Sequence, residues 1–131
     1  MTIAQAVARF DLLYPNAFPY TEKRGWLSAL DGMAYSDIIS LYKGAPEGFS
    51  GYGQEEAGDT ELLIGFPYDD LYIKYMCMQG DITNSDIGRY NNSAALFSFE
   101  FSRFAAAYNR THELKSRTRL GEVYGGVLSE A

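Results

Sequence analysis

Apolar residues in the first half of the chain recur at intervals of three and four. Ile3, Val7, Phe10 and Leu13 follow that spacing after Thr2, a residue type that caps helix N-termini, and Pro15 stops the pattern. A first helix is expected over residues 3–13. Beyond the loop PNAFPY, Leu27, Leu30, Ala34, Ile38 and Leu41 repeat the same intervals, with Thr21 as the candidate cap, so a second helix is expected over 22–41. Gly32 weakens its middle, and Ser36 and Asp37 offer a new start, which together mark a candidate kink. From Gly44 to Gly65 no period survives: six glycines and scattered acids predict a long irregular loop, with 60–64 short enough for at most one strand. Pro67 suits the first turn of a third helix over 67–79, in which Asp69 and Asp70 complement the N-terminal dipole and Leu71, Tyr75 and Met78 share a side. Gly80 and the polar string after it end that helix, and Asn84 or Ser85 is the candidate cap of the next.

The segment ALFSFEFSRF, residues 95–104, is ambiguous by itself. Phe97, Phe99 and Phe101 alternate as in a strand, but the wider register settles the matter: Ile87, Tyr90, Ala94, Phe97, Phe101, Phe104 and Tyr108 are spaced 3, 4, 3, 4, 3 and 4. A strand of that length would be far outside the usual range, so a fourth helix is expected over 85–112, with Phe99 off its stripe. The stripe reads as core and subunit packing rather than a cofactor pocket or a stacking platform for single-stranded nucleic acid, which would need a basic groove alongside. Leu96 and Phe99 give this helix a second apolar surface to cover. The expected core therefore includes Leu27, Leu30, Leu71, Tyr75, Ile87, Tyr90, Phe97, Phe101, Phe104 and Tyr108.

The fold class that follows is all-α, a bundle of about four helices with a long Gly-rich acidic loop in the middle. Residues 1–114 form one helical domain, and 115–131 form a flexible C-terminal arm without a period, either plain terminal disorder or a segment that folds on a partner. The 131 residues suffice for one hydrophobic core, and 47% apolar with 21% charged composition is that of a globular chain. The N-terminus has no secretory pattern and no apolar run is long enough for a bilayer, so no membrane association is expected.

Charge changes the picture more than composition does. The net charge is −6, which argues against nucleic-acid gripping through phosphates. Eight acids (Glu47, Glu55, Glu56, Asp59, Glu61, Asp69, Asp70 and Asp81) stand against Lys74 alone over residues 47–81, whereas Arg103, Arg110, Lys115, Arg117 and Arg119 face only Glu113 further on. Such polarity is either a solvated surface or a means for copies of one chain to pack head to tail.

Chemistry-bearing patterns are sparse. His112 is the sole histidine and Cys77 the sole cysteine, which leaves no multi-histidine metal motif and no intrachain disulfide. Cys77 reads as a buried structural thiol in a reducing compartment, and His112 as a partly exposed imidazole suited to a helix C-terminus. The glycines of GYGQEEAG are misplaced for a dinucleotide fingerprint, and the two Asn-x-Ser/Thr triplets fall in the expected fourth helix. Adjacent acids such as Asp69 and Asp70 do not face one site on a helix. No catalytic residue, metal or cofactor is expected.

Four short stretches carry a likeness of another kind. WLSALD at 26–31, LLI before PYDDLY at 67–72, RYNN at 89–92 and YNRTH at 108–112 resemble small helical virion-morphogenesis proteins of tailed phages and prophages of Gram-positive bacteria. The resemblance spans about 90 residues and implies a head-to-tail connector, or adaptor, that forms a ring beneath the portal. It implies self-association, portal or tail proteins as further partners, and residence in the bacterial cytoplasm during assembly and then in the virion. On this reading the basic Arg103, Arg110, Lys115, Arg117 and Arg119, with Tyr124, Val127 and Leu128 of the arm, are interaction residues, and the loop faces tail or channel. The alternative expectation is a small helical binding module that recognises a host protein through Glu55, Glu56, Asp59 and Glu61.

Overall fold

The computed structural model describes residues 1–115 of the chain. The expected arm from residue 116 onward, including Arg117, Arg119, Tyr124, Val127 and Leu128, lies outside the described residues. Four α-helices are present among the rest: α1 Ile3–Leu13, α2 Tyr20–Asp37, α3 Leu71–Thr83 and α4 Ile87–Thr111, with a single 3-10 turn at Ile39–Leu41 after α2. The all-α reading holds for these residues. Among the described residues the only strand-like pairings are isolated bridges, Thr2 with Glu61 and Tyr42 with Leu114, so residues 60–64 add one bridge and no strand.

Thr2 closes a capping box on α1, its Oγ1 accepting from the Gln5 amide while the Gln5 side chain accepts from the Thr2 amide. The buried face is Ile3, Ala6, Val7 and Phe10. Tyr14 continues it in the extended backbone that follows, leaving Leu13 in solvent. Helix α2 starts two residues earlier than expected, after Pro19 instead of a Thr21 cap: Pro19 stands at the N-cap in extended backbone, and its carbonyl accepts from the Glu22 and Lys23 amides at 3.1 and 3.2 Å. It ends at Asp37, where the 3-10 turn stands in place of a kinked continuation.

Corrections are larger around α3. Pro67 precedes the helix, which begins at Leu71 after two tight turns and runs on to Thr83. Gly80 is an interior residue, not a stop. It packs under the Tyr14 ring, where an added methyl would come within 3.1 Å, so here glycine allows α1's end to approach α3. The cap of α4 is Asp86, whose carboxylate accepts from the Arg89 amide; Ser85, at φ 58°, is used instead for the left-handed turn between the helices.

Helix α3 is central. It packs most extensively on α4 and also touches α1 and α2. Phe97 and Phe104 of the aromatic stripe are buried, Tyr90, Phe101 and Tyr108 are half-buried, and Tyr75 of α3 meets the Phe97 ring at 5.2 Å. Ile87 is a correction: it is 57% exposed. A repeat of 3.5 residues slips about 20° per heptad on an ideal helix, so the first stripe position has rotated out of the interface while Ser93 turns in. Cys77 is half-buried on α3, and burial pushes its thiol upward, away from the reactive thiolate range.

The long loop is bound to the helices by a carboxylate that the hydropathy pattern conceals. Asp31, on α2, is fully buried. Its oxygens accept from the Tyr72 hydroxyl of α3 at 2.5 Å, the Tyr52 hydroxyl at 2.5 Å and the Leu63 amide at 3.0 Å. The Tyr72 hydroxyl in turn accepts from the Ile64 amide at 2.7 Å. Nearby, Ser28 Oγ accepts from the Tyr52 amide, and Gly51, at φ 99°, passes where a Cβ would lie 2.7 Å from that oxygen. The loop is irregular in backbone and fixed in place, with Leu62 and Ile64 in the core. A second buried acid, Asp81, accepts from the Tyr14 hydroxyl at 2.7 Å and from Ser93 Oγ at 2.8 Å, tying α1, α3 and α4 at one end of the bundle.

Candidate functional site

The richest surface lies where α4 ends. The helix stops at Thr111; the His112 amide donates to the Tyr108 carbonyl, and the imidazole lies flat on the Tyr108 ring, centroids 3.6 Å apart and 2° from parallel. Nδ1 sits 3.1 Å from the Tyr108 carbonyl and 2.9 Å from Thr111 Oγ1. Tyr42 meets both rings edge-on and donates from its hydroxyl to Asn109 Oδ1 at 2.8 Å. Burial and then the neighbouring Tyr42 push the Tyr108 hydroxyl's pKa upward, so it stays protonated as a donor.

The chain after α4 folds back along Tyr42. The Lys43 amide donates to the Glu113 carbonyl at 2.8 Å and the Lys115 amide to the Leu41 carbonyl at 3.0 Å. This short ladder, possible because the 3-10 turn delivers residues 41–43 beside the end of α4, fixes two depressions on either side of Thr111 and His112. One, of about 430 Å³, is a groove between residues 63–68 and α4, walled by Phe66, Tyr68, Phe104, Tyr108 and His112. The other, of about 650 Å³, is polar and is edged by Lys43, Asn109, Arg110, Glu113 and Lys115. Lys43 Nζ reaches Glu113 at 2.9 Å. An aromatic floor beside a basic rim suits capture of a protein segment with apolar and acidic groups.

Of the residues singled out from the sequence, Arg110 and Lys115 come together at this rim. Arg103 does not line it; it is exposed further up α4, 3.4 Å from Glu100. On the loop, Glu55, Glu56 and Asp59 are exposed, Glu56 accepting from Thr60 Oγ1, and Glu61 lies 3.2 Å from the Met1 nitrogen beside the bridge to Thr2. Sequence reasoning missed Tyr42, Lys43 and Phe66. The signal for Phe66 was present, an aromatic before proline at the end of a loop, whereas nothing local links Lys43 with residues seventy positions later.

Among the described residues no group of three or more His, Cys, Asp or Glu is placed to hold a metal ion, and no helix is long and apolar enough to cross a membrane. The buried carboxylates are occupied by hydroxyl and amide donors. Burial pushes Asp31 above its ordinary 3.8, against the pull of its three hydrogen bonds, and burial with the Asp31 charge pushes Tyr52 and Tyr72 far upward. Comparison with known proteins gives no match to any family model, curated protein or solved structure.

Proposed function

We propose that the chain is a non-enzymatic assembly protein that works through protein–protein contact, a phage or prophage head-to-tail connector that closes a ring by self-association. The observation that carries this reading is the surface at the end of α4: an aromatic groove joined to a rim of Lys43, Arg110 and Lys115 on a chain that is otherwise net acidic and exposes Glu55, Glu56 and Asp59 on its loop. Opposite poles on one molecule favour contact between copies. The biological setting is taken from the resemblance of residues 26–31, 67–72, 89–92 and 108–112 to small virion-morphogenesis proteins of tailed phages, which implies a connector. Portal or tail proteins are the further partners, in the bacterial cytoplasm and then the virion.

The test is the solution mass by light scattering over a range of protein concentration, at low and high salt. A closed oligomer that dissociates in high salt, and is lost in Arg110→Glu with Lys115→Glu, is the expected result. A monomer throughout would overturn self-association. The exposed loop carboxylates favour one other reading, a binding module for a host protein; it is adopted if a monomer captures such a protein and loses it when Glu55, Glu56 and Asp59 are changed to glutamine.

A further inference from the structure

The long loop is held in two different ways. Residues 58–64 belong to the body of the fold: the Ile3, Ala4 and Leu62 amides donate to the Thr60, Gly58 and Met1 carbonyls at 3.0, 2.9 and 3.0 Å, and Leu62 and Ile64 are buried. Residues 46–52 run instead along one face of α2, where Ser28, Asp31, Gly32 and Tyr35 follow at intervals of three, one and three. The Tyr35 hydroxyl donates to the Pro46 carbonyl at 2.7 Å, and the Phe49 ring packs over Gly32 against the rings of Tyr35 and Tyr52. Tyr52 closes the far end, its amide on Ser28 Oγ and its hydroxyl on Asp31. Among the described residues no backbone–backbone hydrogen bond joins residues 46–52 to the rest of the chain. None of them is buried: Phe49 and Tyr52 are half-buried, and Pro46, Glu47, Gly48 and Ser50 are exposed. A segment with little buried apolar area, tied by side chains alone, is the kind that opens while the rest of a protein stays folded. Gly44, at φ 85°, and Gly53, where an added side chain would meet nothing, bound it with backbone that is free to turn.

We infer that residues 46–52 are a strap that lifts off α2 as one unit while residues 58–64 and the four helices remain in place. Lifting takes the Tyr52 hydroxyl away from Asp31 but leaves the Leu63 amide and the Tyr72 hydroxyl on it, so the carboxylate keeps two of its three donors as it meets water. Opening therefore costs less than unfolding, because no buried polar group is orphaned and the core around Leu62 and Ile64 is untouched. The open state bares a covered face of α2 with that carboxylate at its centre. The strap is independent of the proposed self-association and needs no second copy.

The experiment is native-state amide hydrogen exchange by NMR on the full chain, from no urea to moderate urea, for the wild type and Tyr35→Phe, with circular dichroism melting as the control for folding. The Tyr52 amide reports on the strap through its bond to Ser28, and the Leu63 and Ile64 amides, bonded to Asp31 and Tyr72, report on the fixed half of the loop. The expected result is a Tyr52 amide whose protection is about a hundredfold or more below that of Leu63 and Ile64 and hardly responds to urea, because lifting the strap exposes little new surface. Tyr35→Phe removes only the hydroxyl that holds Pro46 at the other end, and is expected to speed exchange at Tyr52 about fivefold, the worth of one hydrogen bond. Exchange at Tyr52 as slow and as urea-dependent as at Leu63 and Ile64 overturns the strap, since the loop then opens only with the whole fold. Fast exchange that Tyr35→Phe leaves unchanged overturns it as well, since the Tyr52 end then frays alone.

Discussion

At the residue scale the decisive group is Asp31. Three donors, two hydroxyls and one amide, converge on a carboxylate with no exposure to solvent. Asp31→Ala would leave all three without a buried acceptor, and at about 1–3 kcal/mol for each unsatisfied group the loss is about 3 kcal/mol or more, read as a fall in the urea midpoint. The same group gives a pH dependence of definite sign. Its carboxyl sits above the 3.8 it has in an unfolded chain, so between 3.8 and the folded value the native state holds a proton that the unfolded state has released. Its contribution is full below that window, falls as pH rises through it and levels off above. The gap in denaturant midpoint between wild type and Asp31→Asn should therefore narrow as pH rises from about 3 to 7; a widening gap would mean that the ionised form is the one the fold favours.

At the element scale, α4 shows how a stripe becomes a core. Phe97 is 7% exposed and packs on Tyr75 and Phe101, whereas Phe99, two residues on, is 63% exposed. Phe97→Ala should cost about 3–5 kcal/mol by cavity formation, and Phe99→Ala about 0.5 kcal/mol or less, measured by chemical denaturation. Equal costs would show that the helix is rotated from the register described. The drift that expels Ile87 is a property of the helix itself, because a 3.5-residue repeat cannot stay on one face of a 3.6-residue helix over three heptads.

At the scale of the whole molecule, charge distribution governs what the protein meets. With a net charge of −6 and, among the described residues, a basic rim confined to Lys43, Arg110 and Lys115, fluorescence anisotropy with a labelled DNA duplex should detect no binding at physiological salt. Binding that weakens steeply with added salt would reveal a phosphate-contacting surface and move the reading away from protein assembly. The two poles are unequal in kind. The acids are distributed along an irregular loop, whereas Lys43, Arg110 and Lys115 are brought to one edge by the ladder between residues 41–43 and 113–115.

Helix type and most helix positions were legible because periodicity is a local property: Thr2 begins α1, and seven stripe residues define α4 without any knowledge of the fold. Boundaries beside Pro19, Pro67 and Gly80 were misread, since each residue has two local meanings and a neighbour chooses between them; inside α3 the missing side chain of Gly80 leaves the room that the Tyr14 ring takes. The candidate surface was half legible. Arg110 and Lys115 stood out as part of a basic run, but Lys43 and Phe66 gained meaning only when the chain returned to them. Sequence by itself determined the helices, the absence of a multi-histidine or disulfide framework, and the division of charge, all of which depend on residues near one another in the chain or on simple counts. Tertiary structure alone decided that Asp31 is the buried tie of an irregular loop and that a groove opens at the end of α4, because both depend on contacts between residues tens of positions apart, which no local pattern encodes.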